Sequence, residues 1–191
     1  MVRVLARAGV TANQVTLAAC VVSVVIGTLL VIFSDRAALF AVVPAWMLLR
    51  MAMNAIDGML AREFGQKTTL GAYLNEICDV VSDVALYLPF GCIAGSSMTA
   101  VAVVIALSVT SELAGTVAVM TGASRRYDGP MGKSDRAFVF GVLGLLVALG
   151  VSVGSLLNWV WGAVAVLLVL TIANRMRRGL EETAHNEPGE R

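Results

Sequence analysis

Two apolar stretches of this chain hold more polar groups than lipid or a protein core ordinarily tolerates. The first carries Arg50, Asn54 and Asp57, and the second carries Asn75, Glu76, Asp79 and Asp83. A charged side chain at mid-membrane costs roughly 2.5–3.5 kcal/mol on insertion scales. These groups must therefore face one another, water or a bound cation. Asn54 and Asp57 are spaced i, i+3, and Asn75 and Asp79 are spaced i, i+4, so each pair shares one face of a helix. Hard oxygen donors clustered this way suit Mg²⁺ or Mn²⁺, which would also relieve repulsion between the carboxylates. A purely structural use is a buried ion-pair network, with Arg50 pairing Glu112. One arginine cannot balance Asp57, Glu76, Asp79, Asp83 and Glu112 together, and an excess of buried negative charge requires metal ions, protons or solvent. Intramembrane ionisable groups are functional candidates by default.

The elements that position these residues are transmembrane helices. Hydrophobic residues make up 58% of the chain, charged residues 14%, and the mean hydropathy is +0.83. A soluble domain is about 45–50% apolar and about 25% charged. Lipid must be the solvent for most of this surface. A spanning helix needs about 20 mostly apolar residues. Six stretches qualify: Gln14–Phe33, Ala37–Leu60, Leu70–Ile93, Met98–Thr121, Arg136–Val153 and Leu156–Ala173. The expected fold is all-α and integral to the membrane, one domain over residues 1–178 followed by a polar tail at 179–191 that frays from Arg175 onward. Residues 1–12 form a short amphipathic element in which Val2, Val4 and Leu5 enter the interface while Arg3 and Arg7 meet anionic headgroups. Thr11 or Asn13 caps the first spanning helix. No cleaved signal peptide is expected.

Basic residues set the orientation. Arg3 and Arg7, then Arg62 and Lys67, then Arg125, Arg126, Lys133 and Arg136, then Arg175, Arg177 and Arg178 fall on one side; the other side has only Arg36. Both termini and the two long loops are expected in the cytoplasm. Cys20, Cys78 and Cys92 lie in apolar segments and read as small buried hydrophobes.

The segment NAIDGMLAREFGQKTTLGAYLNEICD, Asn54–Asp79, resembles the signature of the CDP-alcohol phosphotransferase family, D-x2-D-G-x2-A-R-x8-G-x3-D-x3-D. Asp57, Gly58, Ala61, Arg62, Gly71 and Asp79 fall at matching positions. Asn54 and Asn75 stand where the family has its first and third aspartates. The resemblance extends to the six-helix layout and to TANQVT at the start of the first spanning helix.

What the resemblance implies is transfer of a substituted phosphate from a CDP-linked donor, often CDP-diacylglycerol, to an alcohol with release of CMP, by a homodimer using Mg²⁺ or Mn²⁺. On that pattern Asn54, Asp57, Asn75 and Asp79 hold metal, with Glu76 a substitute ligand for the missing third aspartate. Asp79 takes the proton of the attacking hydroxyl. Asn13, Gly58, Ala61, Arg62 and Gly71 serve the CDP diphosphate, the glycines by allowing close approach. Lys133 and Arg136 bind a phosphate of the acceptor or a lipid headgroup. Asp83 is a weaker metal candidate that instead pairs with Arg50. The leading expectation is a phosphatidyltransferase of a bacterial-type inner membrane, with its site facing the cytoplasm and no nucleic-acid partner. Two alternatives stand beside it: a CDP-alcohol donor with a lipid acceptor, and a transporter or assembly subunit using the polar cluster for ions.

Overall fold

The computed structural model of the protein describes residues 1–186, and every regular element among them is helical. A short helix α1 (Val2–Arg7) leads to α2 (Ala12–Ile32). A 3₁₀ turn at Ala37–Ala41 runs into α3 (Val42–Glu63). Then follow α4 (Thr69–Tyr87), a second 3₁₀ turn at Leu88–Cys92, α5 (Met98–Met120), α6 (Lys133–Ala148) and α7 (Gly154–Asn186).

The helix starts follow local chemistry. Thr11, rather than Asn13, caps α2: its hydroxyl accepts from the Gln14 amide at 3.2 Å while the Gln14 side chain accepts from the Thr11 amide at 2.9 Å. This reciprocal pair satisfies two otherwise orphaned donors. Thr68 and Ser97 cap α4 and α5 in the simpler way. The carboxylate of Asp135 accepts from the Gly132 amide at 2.8 Å at the start of α6. Pro89 stops α4 from continuing as an α-helix toward Ile93, because it lacks the amide hydrogen the ladder needs.

Among the described residues, four helices are long and apolar enough to cross a membrane: Ala12–Ile32, Ala37–Glu63, Met98–Met120 and Leu156–His185. The other two expected spans are present as helices but do not meet that description. α4 carries Glu76, Asp79 and Asp83 within its 19 residues, and α6 has 16 residues and opens with Lys133, Asp135 and Arg136. The segment from Arg175, expected to fray, is instead helical to Asn186. It is held because Arg175 is buried, Gly179 lies against Ala118, and Glu182 and Thr183 bond the chain around residue 121–124. Residues 187–191 of the expected tail lie outside the described residues. In α1, Val2 and Ala6 pack toward Ala12, Val15 and Leu60, whereas Val4 stays exposed.

Two contacts set the bundle. α2 and α4 approach so closely that a Cβ on Gly27 would overlap the Ala85 carbonyl. At the end remote from the loop 122–132, Phe40, Phe90, Phe140 and Trp161 interlock edge-to-face and stacked, and Phe140 lies flat on Tyr87 with ring centroids 3.8 Å apart. Such contacts add about 0.5–1.5 kcal/mol per pair beyond area burial.

Because the Gly27 position has no room for a side chain, Gly27→Leu should push α2 from α4. Overpacking of this kind costs about 1–3 kcal/mol. Thermal unfolding of detergent-solubilised protein should show a lowered midpoint.

Candidate functional site

The polar residues of α3 and α4 converge with others from α5, α6 and α7 at the end of the bundle where α2, α4 and α6 begin. The core of the convergence is an ion network. Arg50 donates to Asp83 at 2.6 Å and to the backbone carbonyl of Asp79 at 3.0 Å. Arg136 bridges Asp83 at 3.0 Å and Glu112 at 2.9 Å. Glu112 also meets Arg125 at 3.3 Å and Arg175 at 3.4 Å. Arg50 thus pairs with Asp83 rather than with Glu112: the carboxylate of α5 is already surrounded by three arginines from the α5–α6 loop, α6 and α7. Arg136 and Arg175 are each only 1% exposed. Arg175 reaches the Ser111 carbonyl at 2.5 Å.

Beside this network opens a pocket of about 550 Å³. Of the residues singled out in the sequence, Asn54, Asn75, Glu76, Asp79, Lys133 and Arg136 line it. Asp79 is the most heavily engaged. One carboxylate oxygen meets the Lys133 ammonium at 2.5 Å; the other meets Arg50 and the Asn54 amide at 3.4 and 3.3 Å. Glu76 is held by Arg125 at 2.5 Å. Asp57 does not line the pocket. It is buried against α2, where Thr16 donates to it at 2.7 Å.

The nucleotide candidates fall in two places. On α3, Gly58 lies next to the Arg62 guanidinium, one turn along. On α4, Gly71 faces α2: a Cβ there would come within 2.8 Å of the Asn13 side-chain oxygen and 3.0 Å of the Thr68 hydroxyl. Gln66 fastens the same corner, accepting from the Ala12 amide at 2.7 Å. Asn13 and Gly71, 58 positions apart in sequence, are thereby neighbours, and Ala61 stands half-buried beside Leu60.

As metal ligands, Asp57, Asp79, Asn54 and Asn75 offer only hard oxygens. Among the described residues no three His, Cys, Asp or Glu side chains converge on one point. Mg²⁺ characteristically uses one or two carboxylates and completes its shell with water and substrate phosphate. Asp79 with the amide oxygens of Asn54 and Asn75 fits that pattern at the pocket, and Asp57 would have to leave Thr16 to join them.

Arg125, Glu112, Tyr127, Arg175 and Thr16 escaped the sequence reading as site components. The available signal is charge balance: the buried carboxylates outnumber the one intramembrane arginine, and the cations that match them stand in segments whose basic residues also mark a membrane face. The loop carrying Arg125 and Tyr127 is clamped by α7. Glu182 accepts from the Ser124 amide and hydroxyl, both at 2.9 Å, and from Arg126 at 2.5 Å. Arg126 in turn grips Asp128 with two bonds, at 2.8 and 3.1 Å, which holds the Asp128 carboxyl below its ordinary range. Asp128 therefore favours this conformation above the ordinary carboxylate pKa and loses that contribution as pH falls through the lowered value. The Arg125 guanidinium lies 4.4 Å above the Tyr127 ring.

An all-helical membrane protein with a charged pocket at one end of its bundle, flanked by a glycine-bearing helix–loop–helix, is the class these features define. The chain belongs to the CDP-alcohol phosphatidyltransferase family, whose profile matches residues 9–173; its members are transferases of substituted phosphate groups. It is similar to the inner membrane protein YnbA of Escherichia coli, at 44% identity over 168 residues, 88% of this chain and 83% of the relative. It is also similar to the phosphatidylinositol phosphate synthase of Mycobacteroides abscessus, at 30% identity over 179 residues, 90% of this chain and 78% of the relative. Crystal structures of Mycobacterium tuberculosis phosphatidylinositol phosphate synthase share the fold. One is in complex with manganese and citrate and one has CDP-DAG bound. Both superpose with a TM-score of 0.75 at 24% identity, over 98% of this chain and 88% and 93% of theirs.

Arg136→Ala should be the most damaging single truncation at the site, since it removes a buried cation that contacts both Asp83 and Glu112, leaving Asp83 to Arg50 and Glu112 to Arg125 and Arg175. Removing one partner of a buried pair costs about 3–5 kcal/mol. The check is a large drop in the thermal midpoint of the purified protein. Glu182→Ala should leave the midpoint nearly unchanged but speed limited proteolysis within residues 122–132.

Proposed function

We propose that this chain transfers the phosphatidyl group of CDP-diacylglycerol to an alcohol and releases CMP, in phospholipid synthesis. The observation that carries the reading is the meeting of Asp79, Asn54 and Asn75 at the mouth of one pocket, next to the glycine-lined corner of Asn13 and Gly71. The relatives named for phosphatidylinositol phosphate synthesis, one of them with CDP-DAG bound, support the choice of donor.

In this reading residues 1–178 are the working unit and cross the membrane six times, α4 and α6 being the polar pair whose charges face inward. The basic loops that flank the pocket would lie in the cytoplasm by the positive-inside rule, leaving Arg36 outside. The membrane would be the bacterial inner membrane, and the protein a homodimer.

The family uses Mg²⁺ or Mn²⁺, and Asn54, Asp57, Asn75 and Asp79 would hold it; Glu76 would have to leave Arg125 to join them. The cation would neutralise charge on the diphosphate and on departing CMP. The protein's own contribution begins with the N-termini of α2, α4 and α6, whose positive dipole ends open toward the same region. With no side chain at Gly71, Asn13 and Thr68 close on the start of α4 and would face the nucleotide there, and Arg62 would donate to diphosphate oxygens. Lys133 and Arg50 hold the Asp79 carboxylate in place at the pocket, where the acceptor hydroxyl would meet it. The hydroxyl oxygen then bonds to the phosphatidyl phosphorus, the bond from phosphorus to the CMP oxygen breaks, and the hydroxyl proton passes to Asp79.

The test is turnover by the purified protein with CDP-diacylglycerol, Mn²⁺ and a panel of alcohols, following CMP release and lipid product mass. Activity should vanish with EDTA and return with Mn²⁺. Asp79→Asn should lower turnover by about 10²–10⁴-fold, the usual weight of a general base, with the thermal midpoint retained. Normal turnover by that variant removes Asp79 from its role. Absence of lipid product with every alcohol removes the phosphatidyl-transfer reading.

A further inference from the structure

The pocket is lined by five cationic and five carboxylate side chains, and the cations are already committed. Lys133 is bonded to Asp79, Arg50 to Asp83, and Arg136 to Asp83 and Glu112. Arg125 is the most exposed of the four arginines that line the pocket, at 20% of its side chain. It is held between Glu76 at 2.5 Å and Glu112 at 3.3 Å. A phosphate entering here would have to displace a carboxylate from each cation it used, and would then lie against that carboxylate. Phosphate oxygens only accept hydrogen bonds, as carboxylates do.

A hydroxyl group both donates and accepts, and the pocket wall offers both partners side by side. Glu76, Asn75 and Asp79 present acceptor oxygens. Arg125 lines the same wall, and its Nε and Nη1 are buried and bonded to no protein atom. Buried donors of this kind are costly unless a ligand or water satisfies them. Its charge is matched while its hydrogen-bonding capacity is not. The exposed Tyr127 ring beneath the guanidinium adds an amphipathic surface at the pocket rim.

From this arrangement we propose that the alcohol acceptor is an uncharged polyhydroxy alcohol rather than a phosphorylated one, with Glu76 the specificity-determining residue: by pairing Arg125 it denies that arginine to an acceptor phosphate. The inference rests on phosphatidyl transfer from CDP-diacylglycerol and deepens it. Lys133 and Arg136, expected from sequence to receive a phosphate, are in this account occupied by Asp79, Asp83 and Glu112.

The experiment uses the full chain in detergent with Mn²⁺, and first measures binding of CDP-diacylglycerol. Turnover is then compared for glycerol against glycerol 3-phosphate and for inositol against inositol 1-phosphate, by CMP release and lipid product mass. The expected result is at least about a tenfold preference, equivalent to about 1.4 kcal/mol, for the uncharged member of a pair. Inorganic phosphate should not compete with the alcohol. Glu76→Gln should narrow the preference and make inorganic phosphate a competitor of the alcohol. Should that variant fail to fold, the wild-type preference and phosphate competition decide alone. A preference for either phosphorylated alcohol, phosphate competition in the wild type, or CDP-diacylglycerol binding without product from either uncharged alcohol overturns the inference and leaves the donor reading intact. Loss of Mn²⁺-dependent CDP-diacylglycerol binding overturns the donor reading, and the inference with it.

Discussion

Glu112 and Asp83 are carboxylates surrounded by arginines inside a bundle that has little water to offer them. Arg136 touches both. Arg50 reaches Asp83 from α3, and Arg125 and Arg175 reach Glu112 from the α5–α6 loop and from α7. Every helix around the pocket is thereby tied to its neighbours by charge. Desolvating these ions is costly, and their attraction offsets the cost only if geometry is good and no partner is missing. The arrangement therefore fixes helix register more strictly than apolar packing would. Leucine and valine can slide past one another with small penalties, but moving Arg136 by one turn would break its contacts with two carboxylates at once.

The site takes its character from the edge of that network. Asp79 is one turn from Asp83 on α4, so it inherits Arg50 from the core and adds Lys133 from α6 at the pocket mouth. It is 21% exposed at the side chain, against 8% for Asp83. The inner carboxylate is locked in structure and the outer one is accessible to substrate. Asn54 and Asn75 add oxygen donors without further negative charge, which is compatible with so many arginines nearby having carboxylate partners already.

The long helix α7 links the membrane part to the loop over the pocket. Its buried Thr171 accepts from the Met131 amide at 2.9 Å, Arg175 donates to the Asp128 carbonyl at 3.4 Å, and Glu182 holds Ser124 and Arg126. Three residues spread over about three turns of one helix thus set the path of residues 124–131. Arg125 and Tyr127 are delivered to the pocket by a backbone that α7 holds at both ends.

Sequence alone determined the membrane class, the helix hairpin bearing the signature, and the common placement of Asn54, Asn75 and Asp79, while Asp57 turned out to face α2 instead of the pocket. These follow from composition and from the 3.6-residue period, which depend on no distant contact. The cap was narrowed to Thr11 or Asn13 for the same reason, and the structure chose Thr11; for Arg50 the sequence left both Glu112 and Asp83 open, and the structure chose Asp83. Tertiary structure decided what the remaining arginines do. Arg125, Arg136 and Arg175 look identical in sequence to the positive residues that merely mark a membrane face. Their partners, Glu76, Asp83 and Glu112, lie 49, 53 and 63 positions away, and no local pattern records which cation meets which carboxylate. The end of α7 likewise depended on a partner: the polar run after Arg175 has no apolar face that would announce a docked helix. It is ordered because Glu182 finds Ser124 and Arg126 across the chain. Ion pairs inside a low-dielectric bundle are strong but non-local, so only the folded chain specifies them.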